Sequence, residues 1–170
     1  MNPNFLVVAL VALIPLIIGF IWYNPKTLGS AWMRSAGITE ESMKGANMAL
    51  IFGLTYVFSF MLSVAMIYLT IHQSHLFSLL ADNPDANVAG TAVNDELRAL
   101  IQTYGHKFRT YGHGAVHGIV SCLTIVFPVL AVNALFERKN WTYILINTGF
   151  WMICMIIMGA IICQHGVVYN

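Results

Sequence analysis

Charged residues are absent from four long stretches of this 170-residue chain, and this distribution restricts the possible folds more than any other feature. The stretches cover residues 1–25, 45–81, 110–136 and 140–170. Each contains an apolar run of about 19 or more residues, enough for a helix to cross ~30 Å of hydrocarbon at ~1.5 Å per residue. Only 9% of the residues are charged and 58% are hydrophobic, whereas a soluble domain has roughly 25% charged residues. We therefore predict an integral membrane protein.

The apolar runs predict an all-α fold, an integral membrane four-helix bundle that forms a single domain over residues 1–170. The predicted membrane helices cover residues 5–23, 46–71, 113–136 and 141–163. We expect the first helix to be retained, because its run lacks the basic segment and the cleavage site of a signal peptide. Thr39 is a good N-cap for the second helix. The apolar character of this helix continues past residue 71 as far as Leu80, which predicts a helix that projects beyond the membrane.

Lys and Arg residues in the connections predict the orientation in the membrane. Loop 24–45 carries three of them and loop 137–140 carries two, whereas loop 72–112 carries three together with four acidic residues. Loops rich in Lys and Arg are retained in the cytoplasm. The first and third loops are therefore predicted to be cytoplasmic, with both termini and the second loop outside.

The long second loop is predicted to contain an amphipathic helix over residues 94–111. Apolar residues recur there at helical spacing. They are Val93, Leu97, Leu100, Ile101, Tyr104, Phe108 and Tyr111. Such a helix either lies in the membrane interface or packs on its own bundle.

The third and fourth helices form a hairpin, because only residues 137–140 separate them. Asn133 and Asn147 each lie seven residues from Asn140, which places them at the same depth on neighbouring helices. An amide in hydrocarbon needs a hydrogen-bond partner. We therefore predict that these two side chains pair with each other.

Aromatic, proline, glycine and asparagine residues occur together near both ends of the chain. They form the motifs GFIWYNP at 19–25, GSAWM at 29–33, KGANM at 44–48, NALFER at 133–138 and LINTGFW at 145–151. Over its first fifty and last forty residues the chain resembles the small bacterial membrane proteins grouped as domain-of-unknown-function family 1761 (DUF1761). The resemblance implies a four-helix, multi-pass protein of the bacterial cytoplasmic (inner) membrane and brings no established activity. The long second loop departs from the short connection of the family.

These motifs all lie toward the membrane face formed by the first and third loops, where they predict a candidate polar site. Its residues are Asn47, Asn133, Glu137, Asn147, Trp22, Tyr23 and Trp32. One interpretation is an interfacial belt of aromatic residues together with amide hydrogen bonds between helices. The other is a shallow polar pocket that binds a cation or a small polar solute.

All six histidines are expected at the opposite membrane face. His72 and His75 end the second helix and His113 and His117 begin the third, and each pair can place two imidazoles on one side of a helix. Imidazoles near acidic residues are typical of a divalent transition-metal site or of a proton relay. The alternative is a set of unconnected interfacial histidines.

Gly114 and Gly118 have the spacing of a close contact between helices. Because glycine has no side chain, another helix can approach the backbone there. We predict a packing seam, either between subunits or against the first or second helix of the same chain.

The sequence contains no nucleophile–base pair, phosphate-binding loop or metal-hydrolase motif, so we expect neither an enzyme nor a cofactor. The net charge of +1 gives no basis for a nucleic-acid partner. The expected partners are the lipid bilayer and further copies of the chain. Polar stripes that include Ser59 and Ser63 on the second helix and Ser121 on the third predict a homo-oligomer with a small-solute or ion path or binding site. The alternatives are an accessory subunit bound to other membrane proteins, and a metal- or proton-binding protein.

Overall fold

The computed structural model describes residues 2–168 and shows an all-α membrane bundle, which confirms the predicted fold class. Four helical spans are long and apolar enough to cross a membrane: Phe5–Trp22, Met48–Thr70, Tyr111–Phe136 and Trp141–His165. Their ends lie within two residues of the predicted ones. The chain is thus a membrane protein whose spans follow its hydropathy closely.

Shorter elements connect and interrupt the spans. The helices are α1 (Phe5–Val11), α2 (Ile14–Trp22), α3 (Gly29–Ala36), α4 (Glu40–Met43), α5 (Met48–Thr70), α6 (Ser74–Leu79), α7 (Ala92–Tyr104), α8 (Tyr111–Ser121), α9 (Phe127–Phe136) and α10 (Trp141–His165). A 3₁₀ turn at Pro84–Asn87 precedes α7, and a π-helical turn at Cys122–Val126 joins α8 to α9. Strands β1 (Asn2–Pro3) and β2 (Val167–Val168) pair antiparallel and hold both ends of the chain together.

The connections lie at two opposite faces of the bundle. We call the face that carries β1, β2 and residues 71–110 the histidine face. The face that carries residues 23–47 and 137–140 is the hairpin face. Four crossings place the long second connection and the strand pair on the same side.

Two prolines divide the first and third spans. Pro15 lies at the start of α2, directly after α1, and Pro128 lies at the start of α9 behind the π-helical turn. Proline has no backbone N–H, and its ring collides with the carbonyl four residues earlier, so a regular helix cannot continue through it. Before Pro128 the turn widens, and the Phe127 N–H donates to the carbonyl of Cys122, five residues earlier.

Two predictions for the ends of the second membrane helix are wrong. Thr39 caps only the short helix α4, through a capping box with Ser42, and the left-handed Gly45 (φ +83°) separates that helix from α5. At the other end α5 stops at Thr70, where the backbone of Ile71 becomes extended (φ −110°, ψ 99°). The apolar residues beyond this bend form the separate helix α6, so the second span does not project beyond the membrane as one rod.

The amphipathic helix of the second loop is α7, which is shorter than the predicted range of 94–111. It ends at Tyr104, and the chain turns through residues 105–110 before α8 begins. The buried Asn94 Nδ2 donates to the carbonyl of Ala86 in the 3₁₀ turn at 2.7 Å, and Leu97 is buried as well. α7 and the 3₁₀ turn thus form one unit at the histidine face.

α10 is the central helix of the bundle, in contact with all three other spans and with α3. Its side chains Cys154, Met158 and Ile162 are fully buried, as are Val8 of α1 and Met66 of α5. The large side chains on the outer surfaces of the spans are mostly apolar and exposed, which suits contact with lipid.

α8 packs directly on the backbone of α10 at Gly114 and Gly118. A Cβ atom added at Gly114 would overlap the carbonyl of Gly159, and one added at Gly118 would overlap the carbonyl of Met155. Backbones approach this closely only where the contact lacks side chains. The neighbour of this seam is α10 of the same chain, whereas we expected another subunit or the first or second helix.

Candidate metal centre

Three histidine side chains meet at the histidine face. One ring nitrogen from each of His72, His113 and His117 lies within 4.8 Å of the others, and Nε2 of His72 is 2.9 Å from Nε2 of His113. The ring centroid of His117 is 5.0 Å from that of His72 and 4.5 Å from that of His113. His72 is exposed and the other two are half-buried, so an ion can reach this histidine cluster from solvent.

Two helix ends bring the histidine cluster together. The bend at Ile71 places His72 in a turn directly after α5. Thr110 caps α8, so that His113 and His117 follow in its first two turns, on the same side of the helix. The glycine seam packs the adjoining side of α8 on α10, and the histidine side is left to meet the end of α5.

The separations in the histidine cluster are close to those of a tetrahedral metal site. Zn²⁺–imidazole bonds of about 2.0–2.1 Å at tetrahedral angles place the ligand nitrogens about 3.3 Å apart. The separation of 2.9 Å between His72 and His113 is close to that value, and the other pairs lie within 4.8 Å. Within residues 2–168 the cluster holds three imidazoles and no carboxylate. Ligands of this type suit Zn²⁺, Cu²⁺ or Ni²⁺ better than Mg²⁺ or Ca²⁺.

The surroundings of His72 favour its neutral imidazole. Partial burial lowers the pKa of His72, and the neighbouring His117 and His75 lower it further. A metal ion binds the lone pair of a neutral ring and competes with a proton for it. The lowered pKa therefore favours metal binding near neutral pH.

An aromatic ring from residues 105–110 contacts the histidine cluster. The Phe108 ring stacks on His113 with centroids 5.2 Å apart and an interplanar angle of 22°, and it meets His72 edge-on at 6.1 Å. The backbone of Phe108 is left-handed (φ +63°), a conformation that bulky residues rarely adopt. Its spacing in the sequence indicated only an apolar position on the amphipathic helix, and no local signal revealed this contact.

The buried side chain of Gln73 holds residues 105–110 close to the end of α5. Its Nε2 donates to the carbonyl of Tyr104 at 2.8 Å and to the carbonyl of Lys107 at 2.9 Å. Both carbonyls lie where the chain leaves α7, and the Tyr104 carbonyl also accepts from the Lys107 N–H at 3.0 Å in the turn that follows the helix. Gln73 was missed in the sequence, where it is one of four consecutive polar residues that follow an apolar run.

The buried side chain of Arg109 fastens the same turn to the end of α10. Its guanidinium donates to the carbonyls of Cys163, Gln164 and Val167, the last two at 3.3 and 3.0 Å. A cation at the carboxyl end of a helix is also favoured by the helix dipole. The sequence suggested Arg109 only as a charge at the end of the amphipathic helix.

The structure leaves His75 outside the histidine cluster that forms in residues 2–168, although the sequence paired it with His72. The reason is the bend at Ile71, which removes both residues from α5, so that they do not share one side of a long helix. His165 lies elsewhere on the histidine face, where its Nε2 is 2.6 Å from the Tyr111 hydroxyl.

At the hairpin face, four residues of the predicted polar site converge. The Tyr23 hydroxyl and the Trp32 Nε1–H both donate to Oδ1 of Asn147, at 3.0 and 3.2 Å. The Trp22 Nε1–H donates to the carbonyl of Ile146 at 3.1 Å. We call Trp22, Tyr23, Trp32 and Asn147 the asparagine cluster. It ties α2 and α3 to α10.

The other residues of the predicted polar site do not join the asparagine cluster. Asn47 caps α5 by accepting from the Leu50 N–H at 3.0 Å, and Glu137 is exposed at the end of α9. The predicted pair of Asn133 with Asn147 is wrong, because Asn133 is exposed while Ala134, one position later, is buried at 1% exposure. The number of residues from Asn140 gave the depth of Asn133 in the membrane. It did not give the side of α9 on which Asn133 lies.

Hydroxyl groups of the polar stripes fall into two kinds. Thr55 and Thr124 donate to the carbonyl four residues earlier, each at 2.8 Å, and so need no other partner. The buried hydroxyls of Ser59 and Ser63 have no hydrogen-bond partner in the part of the chain that the structure describes. Ser121 is also buried.

Comparisons with known proteins give one match. The family model described as "Protein of unknown function (DUF1761)" matches residues 6–163 and so covers nearly the whole chain, including the long second loop. No significant match was found among curated proteins or among solved structures.

Proposed function

This chain belongs to the DUF1761 family, and we propose that it is a membrane protein that binds a divalent transition-metal ion through His72, His113 and His117. The observation that carries the proposal is the meeting of ligand atoms from two separate parts of the chain. His72 and His113 are 41 residues apart in sequence, yet their Nε2 atoms are 2.9 Å apart. The fold thus brings together three ligands that no short motif contains.

Zn²⁺ is the ion that fits this ligand set best. Many zinc sites have three imidazole ligands and an open fourth coordination position. Water or an exogenous group then fills the fourth position. The cluster contributes no negative charge, which disfavours Mg²⁺ and Ca²⁺. The ion would join the end of α5 to the start of α8.

Metal titration of purified protein tests this proposal. The protein is prepared without a polyhistidine tag, in detergent, and Zn²⁺ binding is measured by calorimetry with Mg²⁺ as the comparison ion. We expect one Zn²⁺ per chain, and loss of that binding in the double variant His113→Ala and His117→Ala. The matched double variant His75→Ala and His165→Ala should retain it. Equal binding in the two double variants, or none in the wild type, would contradict the proposal.

We also propose that the protein is a homo-oligomer of the bacterial cytoplasmic membrane, with the histidine face outside. The distribution of Lys and Arg among the loops and the family resemblance support this location. Cysteines placed at Asn87 and Asn140 should label from opposite sides, with residue 87 accessible from outside. Light scattering in detergent should give a defined multiple of the chain mass. A monomer that copurifies with other membrane proteins would instead support the accessory-subunit alternative.

A polar path through the bundle is a second candidate function, favoured by the buried hydroxyls of Ser59 and Ser63, which have no hydrogen-bond partner among residues 2–168. A buried hydroxyl without a partner is unfavourable by about 1–3 kcal/mol unless water or a solute binds it. Ion flux into liposomes should then fall in the double variant Ser59→Ala and Ser63→Ala. It should persist in Thr55→Ala, because the Thr55 hydroxyl only donates to its own helix. Absence of flux through the wild type would remove this candidate.

A further inference from the structure

Phe108 has an unusual backbone for its residue type. Among residues 2–168, only Phe108 and Arg138 have a positive φ without being glycine, at +63° and +55°. A side chain with a Cβ clashes with the backbone in this region, so the conformation persists only where the surroundings impose it. Arg138 lies in the tight turn of the α9–α10 hairpin, where such a conformation is common. Phe108 needs a different explanation.

The turn that contains Phe108 is held on both sides. Gln73 Nε2 donates to the carbonyl of Lys107 at 2.9 Å, directly before it. Arg109, directly after it, donates to the carbonyls of Cys163 and Gln164 at the end of α10. The Cys163 Sγ also donates to the carbonyl of Phe108 itself, at 3.4 Å. These contacts impose the left-handed backbone, and the backbone in turn directs the ring.

The ring of Phe108 contacts two of the three residues of the histidine cluster. It covers one side of the His113 imidazole, nearly parallel to it at 22°, and its edge meets the His72 ring at 84°. An imidazole that cannot rotate freely presents its nitrogen in one direction. Outer-shell partners that orient metal ligands through hydrogen bonds contribute about 10–100-fold to metal affinity, and for a ring that orients them by stacking we expect the lower end of that range.

We propose that Phe108 is a positioning residue of the metal centre, whose ring fixes the planes of His113 and His72 and thereby the direction of their ligand nitrogens. This inference rests on the proposed metal-binding function. It adds to that function the reason why a bulky residue is held in an unfavourable backbone conformation beside the site. Phe108 itself binds no ion.

The experiment uses Co²⁺, because its absorption spectrum reports the geometry of its ligands as well as its binding. Full-length, tag-free protein in detergent is titrated as wild type and as Phe108→Ala, Phe108→Tyr and Tyr104→Ala. Tyr104→Ala is the matched control, because it removes an exposed aromatic ring four residues away, whereas Gln73 bonds only the Tyr104 backbone. Thermal unfolding of each metal-free variant shows whether it is folded.

We expect Phe108→Ala to bind Co²⁺ about tenfold more weakly and with a shifted ligand-field band. Phe108→Tyr keeps a planar ring and should restore both affinity and spectrum, and Tyr104→Ala should match the wild type. If Phe108→Ala does not fold, Phe108→Leu replaces it, because leucine keeps apolar volume without a ring. We then expect the same loss of affinity and the same shift of the band. A wild-type affinity and spectrum in Phe108→Ala or Phe108→Leu would overturn the positioning role of Phe108 and leave the proposed metal binding standing. Absence of Co²⁺ and Zn²⁺ binding in the wild type would overturn the proposed function, and this inference with it.

Discussion

Two clusters of polar and aromatic side chains lie at opposite faces of the bundle, and they use their hydrogen-bonding groups differently. In the asparagine cluster, Oδ1 of Asn147 accepts from Tyr23 and Trp32, and its Nδ2 donates to the carbonyl of Tyr143 at 2.8 Å. In the histidine cluster three rings face one another, and a 2.9 Å contact joins the Nε2 atoms of two of them. The first cluster has matched donors and acceptors, whereas the second brings together three imidazoles, each of which offers either a lone pair or an N–H at the converging nitrogen according to its tautomer.

This difference separates a structural contact from a binding site. A polar group whose hydrogen bonds are all made within the protein holds helices together and has nothing left to offer a ligand. Lone pairs that converge without donors are what a cation requires. The asparagine cluster therefore fixes α3 on α10, and the histidine cluster is the place to search for chemistry.

The largest effect should come from Gly118→Leu, which separates α8 from α10 and so disrupts the support of the histidine cluster. A Cβ at this position overlaps backbone atoms of Met155 and Ile156, which cannot move aside as a side chain would. Overpacking in a close-packed interior costs about 1–3 kcal/mol, and more where backbones collide. We expect little folded protein, measured as the yield of monodisperse material in detergent.

Gly53→Leu is the matched control for that variant. Gly53 also lies within a membrane span, but it is exposed and an added Cβ has nothing within 4 Å. It should give a wild-type yield. A low yield from both variants would show that any bulky residue in a span is harmful. The close contact between α8 and α10 would then not be the cause of the low yield of Gly118→Leu.

Asn147→Leu should have the next largest effect, and it should act on the asparagine cluster alone. The change leaves the hydroxyl of Tyr23 and the indole N–H of Trp32 without their acceptor, which costs about 1–3 kcal/mol of unfolding free energy. Thermal unfolding should show the loss, while Zn²⁺ affinity stays unchanged. Asn133→Leu should be nearly neutral because its side chain is exposed, and a double variant should be additive. Coupling between the two changes would mean that the asparagines interact after all.

The sequence was informative where one chemical property decides the structure. Charge-free apolar windows have no stable alternative to spanning helices in a membrane, so the spans were predicted to within two residues. The spacing of His113 and His117 was equally direct, because residues four apart share one side of a helix. Neither inference required knowledge of which elements pack together.

The rest of the candidate site depends on contacts that no local pattern contains. His72 joins the cluster and His75 does not because the helix bends at Ile71, the last residue of an apolar run. The roles of Gln73 and Arg109 arise from carbonyls that lie where the chain leaves α7 and at the end of α10. Phe108 contacts the histidines from a turn that these two side chains tie to the ends of α5 and α10.

Acidification should weaken metal binding and leave the asparagine cluster intact, since that cluster contains no group that titrates near neutral pH. Imidazoles become protonated below about pH 6.5. The pKa of His72 is lowered in the folded chain, so its neutral form persists to lower pH than that of an ordinary histidine. The unfolded chain therefore takes up this proton first, and the small stabilising contribution that is present above the unfolded pKa is lost as the pH falls from the unfolded pKa through the folded one.

The measurement is a Co²⁺ titration between pH 8 and pH 5.5. Affinity should change little above about pH 7 and fall about tenfold per pH unit for each proton that the ion must displace at lower pH. The Asn147→Leu variant should show the same profile. An affinity independent of pH over this range would mean that histidines are not the ligands.

The smallest expected effect compares Phe108→Gly with Phe108→Ala in metal-free protein, with a chelator present so that bound ions do not add stability. Both changes remove the ring, but only glycine occupies a φ of +63° without steric conflict. The glycine variant should therefore be more stable by about 1 kcal/mol, seen as a higher unfolding midpoint. Tyr104, the last residue of α7, is the control position. There the alanine variant should be more stable than the glycine variant, because glycine within a helix lowers stability by roughly 0.5–1 kcal/mol relative to alanine. If alanine were the more stable residue at position 108 as well, the turn would relax freely in the absence of the ring. The left-handed backbone would then be a consequence of the contact between Phe108 and the histidine cluster, and the contacts of Gln73 and Arg109 would not be its cause.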